Sequence, residues 1–157
     1  MHIQDGAFDS AVAILIVEAG ERRNATTITH YSETAHHPAS IWVSLPTDSY
    51  SHELLSQSGR FSLAVLQQRQ KQLAIACDSA SGRLLDKCSL LPLYRGSDGA
   101  LYLEDALANC LCQVSQIHPL DTHTLFVANI LSGERSTRTL ALRHLLQYDI
   151  QYAKSRS

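Results

Sequence analysis

The chain has 157 residues with 13 Lys and Arg against 15 Asp and Glu, a formal net charge of −2. A single domain over residues 1–157 is expected, without the concentrated positive face that capture of nucleic acid requires. With 45% apolar and 18% charged residues it can bury a full core unaided by disulfides or metal, and neither Met1 to Ser10 nor the longest apolar run, Ala11 to Val17, resembles a leader or a membrane span, so a cytoplasmic protein is expected.

Ala11 to Val17, rich in Val and Ile, predicts a first strand. Glu18 to Arg23, with Gly20 inside it, reads as a turn, and the Thr-rich Asn24 to Tyr31 as a second strand. Pro38 interrupts the pattern before a third strand over Ser40 to Leu45, stopped by Pro46. Three strands with short connections suggest an antiparallel meander. Ser51-His52-Glu53-Leu54-Leu55 reads as a helix start. There the Ser51 hydroxyl can accept from an otherwise unpaired amide, Glu53 suits the positive end of the dipole, and Gly59 supplies the stop.

Phe61, Leu63 and Val65 then alternate with Arg60, Ser62 and Ala64, which is strand period. Gln68 to Cys77 predicts a second helix with Leu73, Ala76 and Cys77 on one stripe. Residues 78–100, punctuated by Gly82, Pro92, Gly96 and Gly99, read as loop. Leu101 to Leu103 is a short strand and Ala106 to His118 a long one. Pro119 to Asp121 turns the chain, His123 to Leu131 returns, and Thr139 to Tyr148 reads as a short helix or irregular arm. Many short strands with two helices between them point to a closed or half-closed barrel, which hides sheet edges.

Cys77, Cys88, Cys110 and Cys112 show no paired C-x-x-C knuckles, so structural zinc is not indicated and free buried thiols are expected. Cys110 and Cys112 lie two apart in a strand and should share a face. His36 and His37 are adjacent, so an extended backbone would direct them to opposite faces, which disfavours a metal pair. Trp42 and Phe61 read as core or dimer-interface aromatics. Nucleophile-elbow, Walker and G-x-G-x-x-G motifs are absent from the sequence.

Four segments in order carry a resemblance. Asn24-Ala25-Thr26-Thr27-Ile28-Thr29 is followed by Pro38 and Ile41-Trp42-Val43-Ser44-Leu45. Ser49-Tyr50-Ser51-His52-Glu53-Leu54 runs through Ser58-Gly59-Arg60-Phe61 to Ala64-Val65-Leu66. Ser81-Gly82-Arg83 precedes Asp86-Lys87. Ala106-Leu107-Ala108 with Cys110 leads to Asp121-Thr122-His123-Thr124-Leu125-Phe126-Val127. Together they resemble the flavin reductase-like domain family, the FMN-binding split barrels. The chain departs from that pattern at Ala39 (often a second Pro), at Ala64 (usually Asn), at Asp121-Thr122 (commonly with Gly) and in the loosely matching Leu142 to Tyr148.

The resemblance implies a mainly β fold, an antiparallel split β-barrel with a few short helices. It implies FMN as cofactor, with FAD as the alternative, and NAD(P)H as co-substrate of a flavin reductase. A non-catalytic FMN-binding electron-transfer or sensor protein is the alternative reading. It also implies a homodimer with the flavin near the subunit boundary, and a flavin-dependent oxygenase or other electron acceptor as partner.

By the same resemblance, Asn24, Thr26, Thr27, Ile28 and Thr29, with Ser44 and Leu45, lie along the flavin ring. Without it the Thr-rich segment reads as a solvent-facing edge strand. Ser49, Tyr50 and Ser51 would take the phosphate, since a helix start favours an anion; on its own, Ser51 is a cap. Arg83 and Lys87 would approach the ribityl-phosphate, whereas alone each reads as a surface charge. His123 would face the pocket where nicotinamide stacks, against the plainer reading of a hydrogen-bonded strand histidine. Hydride transfer to a flavin needs no dedicated acid or base, so a missing catalytic triad fits.

Overall fold

Ala13–Ala19 (β1) is apolar from Ala13 to Val17 because both of its faces are covered. Ile14 and Ile16 enter one core, with Ala25, Leu66, Ala74 and Leu103. Ala13, Leu15 and Val17 enter a second, with Phe61, Leu63 and Phe126. A strand sandwiched in this way shows a continuous apolar run instead of alternation. The computed structural model describes residues 10–136 and 141–142.

After β1 come Arg22–Ile28 (β2), Tyr31–His36 (β3) and Ala39–Pro46 (β4), then the helix Tyr50–Ser58 (α1) and Arg60–Val65 (β5). A single 3₁₀ turn leads into the helix Lys71–Asp78 (α2). Leu93–Arg95 (β6) and Leu101–Leu103 (β7) form a small ribbon, and the long Ala108–Pro119 (β8) and His123–Arg135 (β9) complete the chain of strands. Seven strands make one antiparallel sheet in the order β2-β1-β5-β8-β9-β4-β3. Although β2 and β3 are neighbours in sequence, they lie at opposite edges of this sheet. The Ser44 backbone N–H donates to the His30 carbonyl at 3.0 Å, extending the β3–β4 ladder by one pair, and the chain runs from β2 into β3 through Thr29-His30 without pairing the two strands. The result is a split barrel.

The expected meander is corrected by this order. β1 and β2 pair as a hairpin, but β4 pairs with β9 and β3. The strand expected over Asn24 to Tyr31 is two strands, divided at Thr29-His30. Residues 78–100, read as loop, contain β6 and a short 3₁₀ turn at Lys87–Leu90. Of the expected arm over Thr139 to Tyr148, only Ala141 and Leu142 lie within the described residues; Ala141 bridges Gln67, and Leu142 is buried in the β1–α2 core.

Buried polar groups of the strands are in part paired through specific side chains, while Asn24 Oδ1 on β2 is buried without a partner. Asn109 donates to the Leu103 carbonyl and accepts from the Leu103 N–H, both at 3.0 Å, imitating a strand partner for β7. The four cysteines are free. Cys110 and Cys112 share a face, with Sγ atoms 3.6 Å apart, as their spacing requires. Burial pushes the Cys77 thiol up to about 11 and the Cys88 thiol up to about 12, so both stay protonated at neutral pH. No described helix is long and apolar enough to cross a membrane.

Candidate active site at the barrel split

A cleft of about 320 Å³ opens where the two sheet edges approach. One wall is the end of β2 and its continuation, Thr26 to His30; the other is Ser44 to Pro46 at the end of β4. Ser49, Asp78 and His123 complete it. This volume lies at the lower end of the roughly 300–1,000 Å³ range of small-molecule sites. A smaller cleft of about 200 Å³ beside Glu18, Arg60 and Asp98 contains none of the expected site residues.

The walls are fixed from behind. Thr27 Oγ1 donates to the Ala74 carbonyl at 2.8 Å, tying β2 to α2, and Ser10 Oγ donates to the Thr29 carbonyl at 2.9 Å. Ser49 is the N-cap of α1, its hydroxyl accepting from the His52 N–H at 3.2 Å, so this helix begins at the cleft wall. The sequence reading had put the cap at Ser51. The cap falls on Ser49 because Tyr50 is already helical and Ser49 holds the extended φ and ψ that a cap needs.

His123 opens β9, with Nδ1 2.9 Å from Thr122 Oγ1. The Thr122 carbonyl accepts from the Thr47 N–H at 3.0 Å, which fixes the turn before it. The next residue, Thr124, is buried and meets His52 Nε2 at 2.9 Å. The His52 ring in turn stands edge-on to Phe126, with centroids 5.3 Å apart. The first turn of α1 and the lip strand β9 are therefore joined through side chains.

The family model of the flavin reductase like domain matches residues 6–155. The chain is 31% identical over 134 residues to the reductase component of an FADH(2)-dependent resorcinol hydroxylase from Rhizobium sp., covering 84% of this chain and 72% of that one. It is 29% identical to an NADH-dependent flavin reductase of Pseudomonas fluorescens, covering 78% and 70%. In structure it resembles an FMN-binding protein from Thermus thermophilus, with TM-score 0.84 and 26% identity over 92% of this chain and 86% of that one. The chain belongs to the flavin reductase like domain family.

In this flavin reductase-like chain the cleft gathers Thr26, Thr27, Ile28, Thr29, Ser44, Leu45, Ser49 and His123 from the expected set. Tyr50 and Arg83 instead line an adjoining groove of about 280 Å³ with Arg22, Arg23 and Gly82. The Arg83 guanidinium lies over the Tyr50 ring, 5.1 Å from its centroid, and pairs with Glu53 at 2.5 Å, which holds the Glu53 carboxyl below its usual range. Arg23 pairs with Asp86 at 2.8 Å across the same groove.

The remaining three expected ligands lie beneath the surface. Asn24 and Ser51 are buried between β2 and α1, the Asn24 amide donating to Ser51 Oγ at 2.8 Å. Lys87 is 5% exposed, and its ammonium donates to the Cys77 carbonyl near the end of α2 at 2.7 Å. Burial draws the Lys87 pKa down. Far from being flexible surface groups, these three brace the elements that carry the cleft. Gly82 passes so close to Asn24 that a Cβ there would lie 2.0 Å from Asn24 Oδ1. The sequence reading missed His30 and Asp78 as lining residues. His30 directly follows the Thr-rich stretch, in the two-residue link between β2 and β3.

This placement changes what Ser51 should do. Ser51→Ala leaves the Asn24 amide without its partner in a buried site, which should cost about 1–3 kcal/mol of stability. Chemical denaturation measures that loss. FMN and riboflavin affinities measured on the folded variant should change by the same factor. A selective loss of FMN would instead restore Ser51 as a direct phosphate ligand.

Proposed function

We propose that this protein is an NAD(P)H-dependent flavin reductase that binds FMN in the split cleft. The observation that carries the reading is the convergence of Thr26 to Thr29, Ser44, Ser49 and His123, from distant parts of the sequence, on one cleft. The donor set fits a flavin: hydroxyls and strand-end backbone for the ring edge, Ile28 and Leu45 as apolar wall, and a helix start for an anion. When bound, the flavin supplies the hydride-accepting ring, and the protein supplies position. Small Thr side chains let a planar ring approach the end of β2. Ser49 and the first amides of α1 hold phosphate, and Arg83 closes the outer side from the adjoining groove. His123, at the lip, orients the nicotinamide.

Relatives named as reductase components support a partner oxygenase as the consumer of reduced flavin. The outer face of β4 and β9 presents Trp42 beside Val127 and Ser44 beside Leu125, with Trp42, Leu125 and Val127 half-buried, and would pair with a second copy in a two-fold dimer. FMN is preferred over FAD, and the cytoplasm is the expected compartment. The second reading, a non-catalytic FMN-binding protein, draws on the likeness to the FMN-binding protein of Thermus thermophilus.

Stopped-flow mixing of the flavin-loaded protein with NADH and NADPH tests the reading, because only a reductase bleaches the flavin absorbance within turnover time. His123→Ala should keep flavin affinity and melting temperature while slowing reduction or raising KM about tenfold, the loss of one hydrogen bond to the co-substrate. Unchanged reduction with lowered stability would leave His123 a purely structural residue.

A further inference from the structure

His30 and His123 reach the same cleft from segments far apart in sequence. Their rings stand edge to face, with centroids 6.4 Å apart and planes at 65°. Neither backbone is free to drift: the His30 carbonyl is held by the Ser44 N–H, and Thr122 is held by Thr47. His123 Nδ1 is engaged by the Thr122 hydroxyl, which makes Nε2 the nitrogen an incoming ligand would meet. His30 is exposed, and His123 is half-buried.

We propose that His30 and His123 form a two-imidazole lip that binds a phosphate of the incoming nucleotide co-substrate, with affinity set by imidazole protonation. This rests on the flavin reductase reading and adds His30 as a specificity-determining residue. Imidazoles ordinarily titrate near pH 6.5, about where a modest change in surroundings switches their charge. A phosphate oxygen set between the two rings would accept a charge-assisted hydrogen bond from each. Asp78, at the end of α2, is the other charged side chain lining the cleft, and Asp121 lies in the turn before His123. Neither carboxylate can serve as a donor to phosphate. Thr29 and Ser44 add neutral donors on the same walls.

The test uses the full chain, flavin-loaded, and His30→Gln, which keeps a polar side chain but cannot take the proton. In the native protein KM for NADH should rise about tenfold between pH 6 and pH 8 with kcat nearly level, as one charge-assisted bond is lost. In His30→Gln, KM should be flat and close to the native value at pH 8. Parallel profiles in the two proteins would overturn the proposal. The origin of the phosphate is separated by repeating the titration with riboflavin in place of FMN, since a lip that serves the co-substrate gives the same profile with either flavin. A dependence present with FMN and absent with riboflavin would place the lip on the flavin phosphate and overturn the co-substrate assignment.

A second readout is independent of turnover. Inorganic phosphate added to the native protein should raise the NMR titration midpoints of both ring signals, and in His30→Gln it should leave His123 unmoved. If NADH reduces the flavin at no pH, the reductase reading fails while this titration still decides whether the lip binds phosphate. Midpoints unmoved by phosphate in the native protein would overturn the lip itself.

Discussion

Phe126→Ala should destabilise the protein by about 3–5 kcal/mol, the range for truncating a fully buried aromatic side chain. Phe126 has no exposed surface and sits in the barrel interior with Leu45, Phe61 and Leu63. It stands opposite Val43 on β4 and Ile117 on β8, so the cavity would open between strands that cannot collapse without changing register. The same truncation removes the ring against which His52 rests. His52 holds Thr124, the residue after His123, so flavin affinity and reduction rate should fall along with stability. Phe126→Leu, which keeps most of the volume, should cost less than about 1.5 kcal/mol and retain activity. Urea denaturation with flavin titration on both variants checks this. A loss under about 1 kcal/mol for the alanine variant would show a barrel interior far more compliant than close packing allows.

Gly133→Ala should cost about 2–3 kcal/mol through overpacking of backbone against backbone. A Cβ at Gly133 would lie 2.5 Å from the Asn109 carbonyl oxygen and 3.2 Å from Cys110 Cα. Neither atom can yield without opening the β8–β9 ladder, in which Gly133 pairs with Cys110. Asn109 is already committed through both side-chain atoms to β7, so the strain passes into the ribbon. Gly59→Ala is the useful contrast. Gly59 ends α1 at φ 69 with nothing near its missing Cβ, and it should cost only about 1 kcal/mol of left-handed strain. Thermal melts of the two variants should differ accordingly. Gly133 lies about 30 Å along β9 from His123, so the folded Gly133→Ala protein should bind flavin normally.

What the sequence made legible was local. The apolar run of β1, the alternation of β5 and the Gly59 stop each reflect a rule acting within a few residues. The pairing of β4 with β9 does not, because strand order is decided by contacts across most of the chain and leaves no trace in either segment. β3 was missed since an exposed edge strand such as Tyr31 to His36 has no buried face to impose alternation. β6 is only three residues long. At the site, the Thr stretch, Ser49 and His123 were readable through the family pattern. Asn24, Ser51 and Lys87 belong to the same pattern but act from beneath, because polar side chains are expected outside until their buried partners are known. The two-residue difference between Ser49 and Ser51 as cap turned on whether Tyr50 is helical, which two serines flanking the same tyrosine do not reveal.

The double burial of β1 bears on how the molecule comes apart. Barrel and outer layer each lean on alternate side chains of the same strand, so neither can open alone without uncovering the seam of the other. Unfolding is thereby forced toward a single cooperative event, and the amides of Ile14 to Val17 become the last in the chain to exchange with solvent. The cleft, built from strand ends, lies outside that doubly covered spine and is held to it by the Thr27 and Ser10 side-chain bonds.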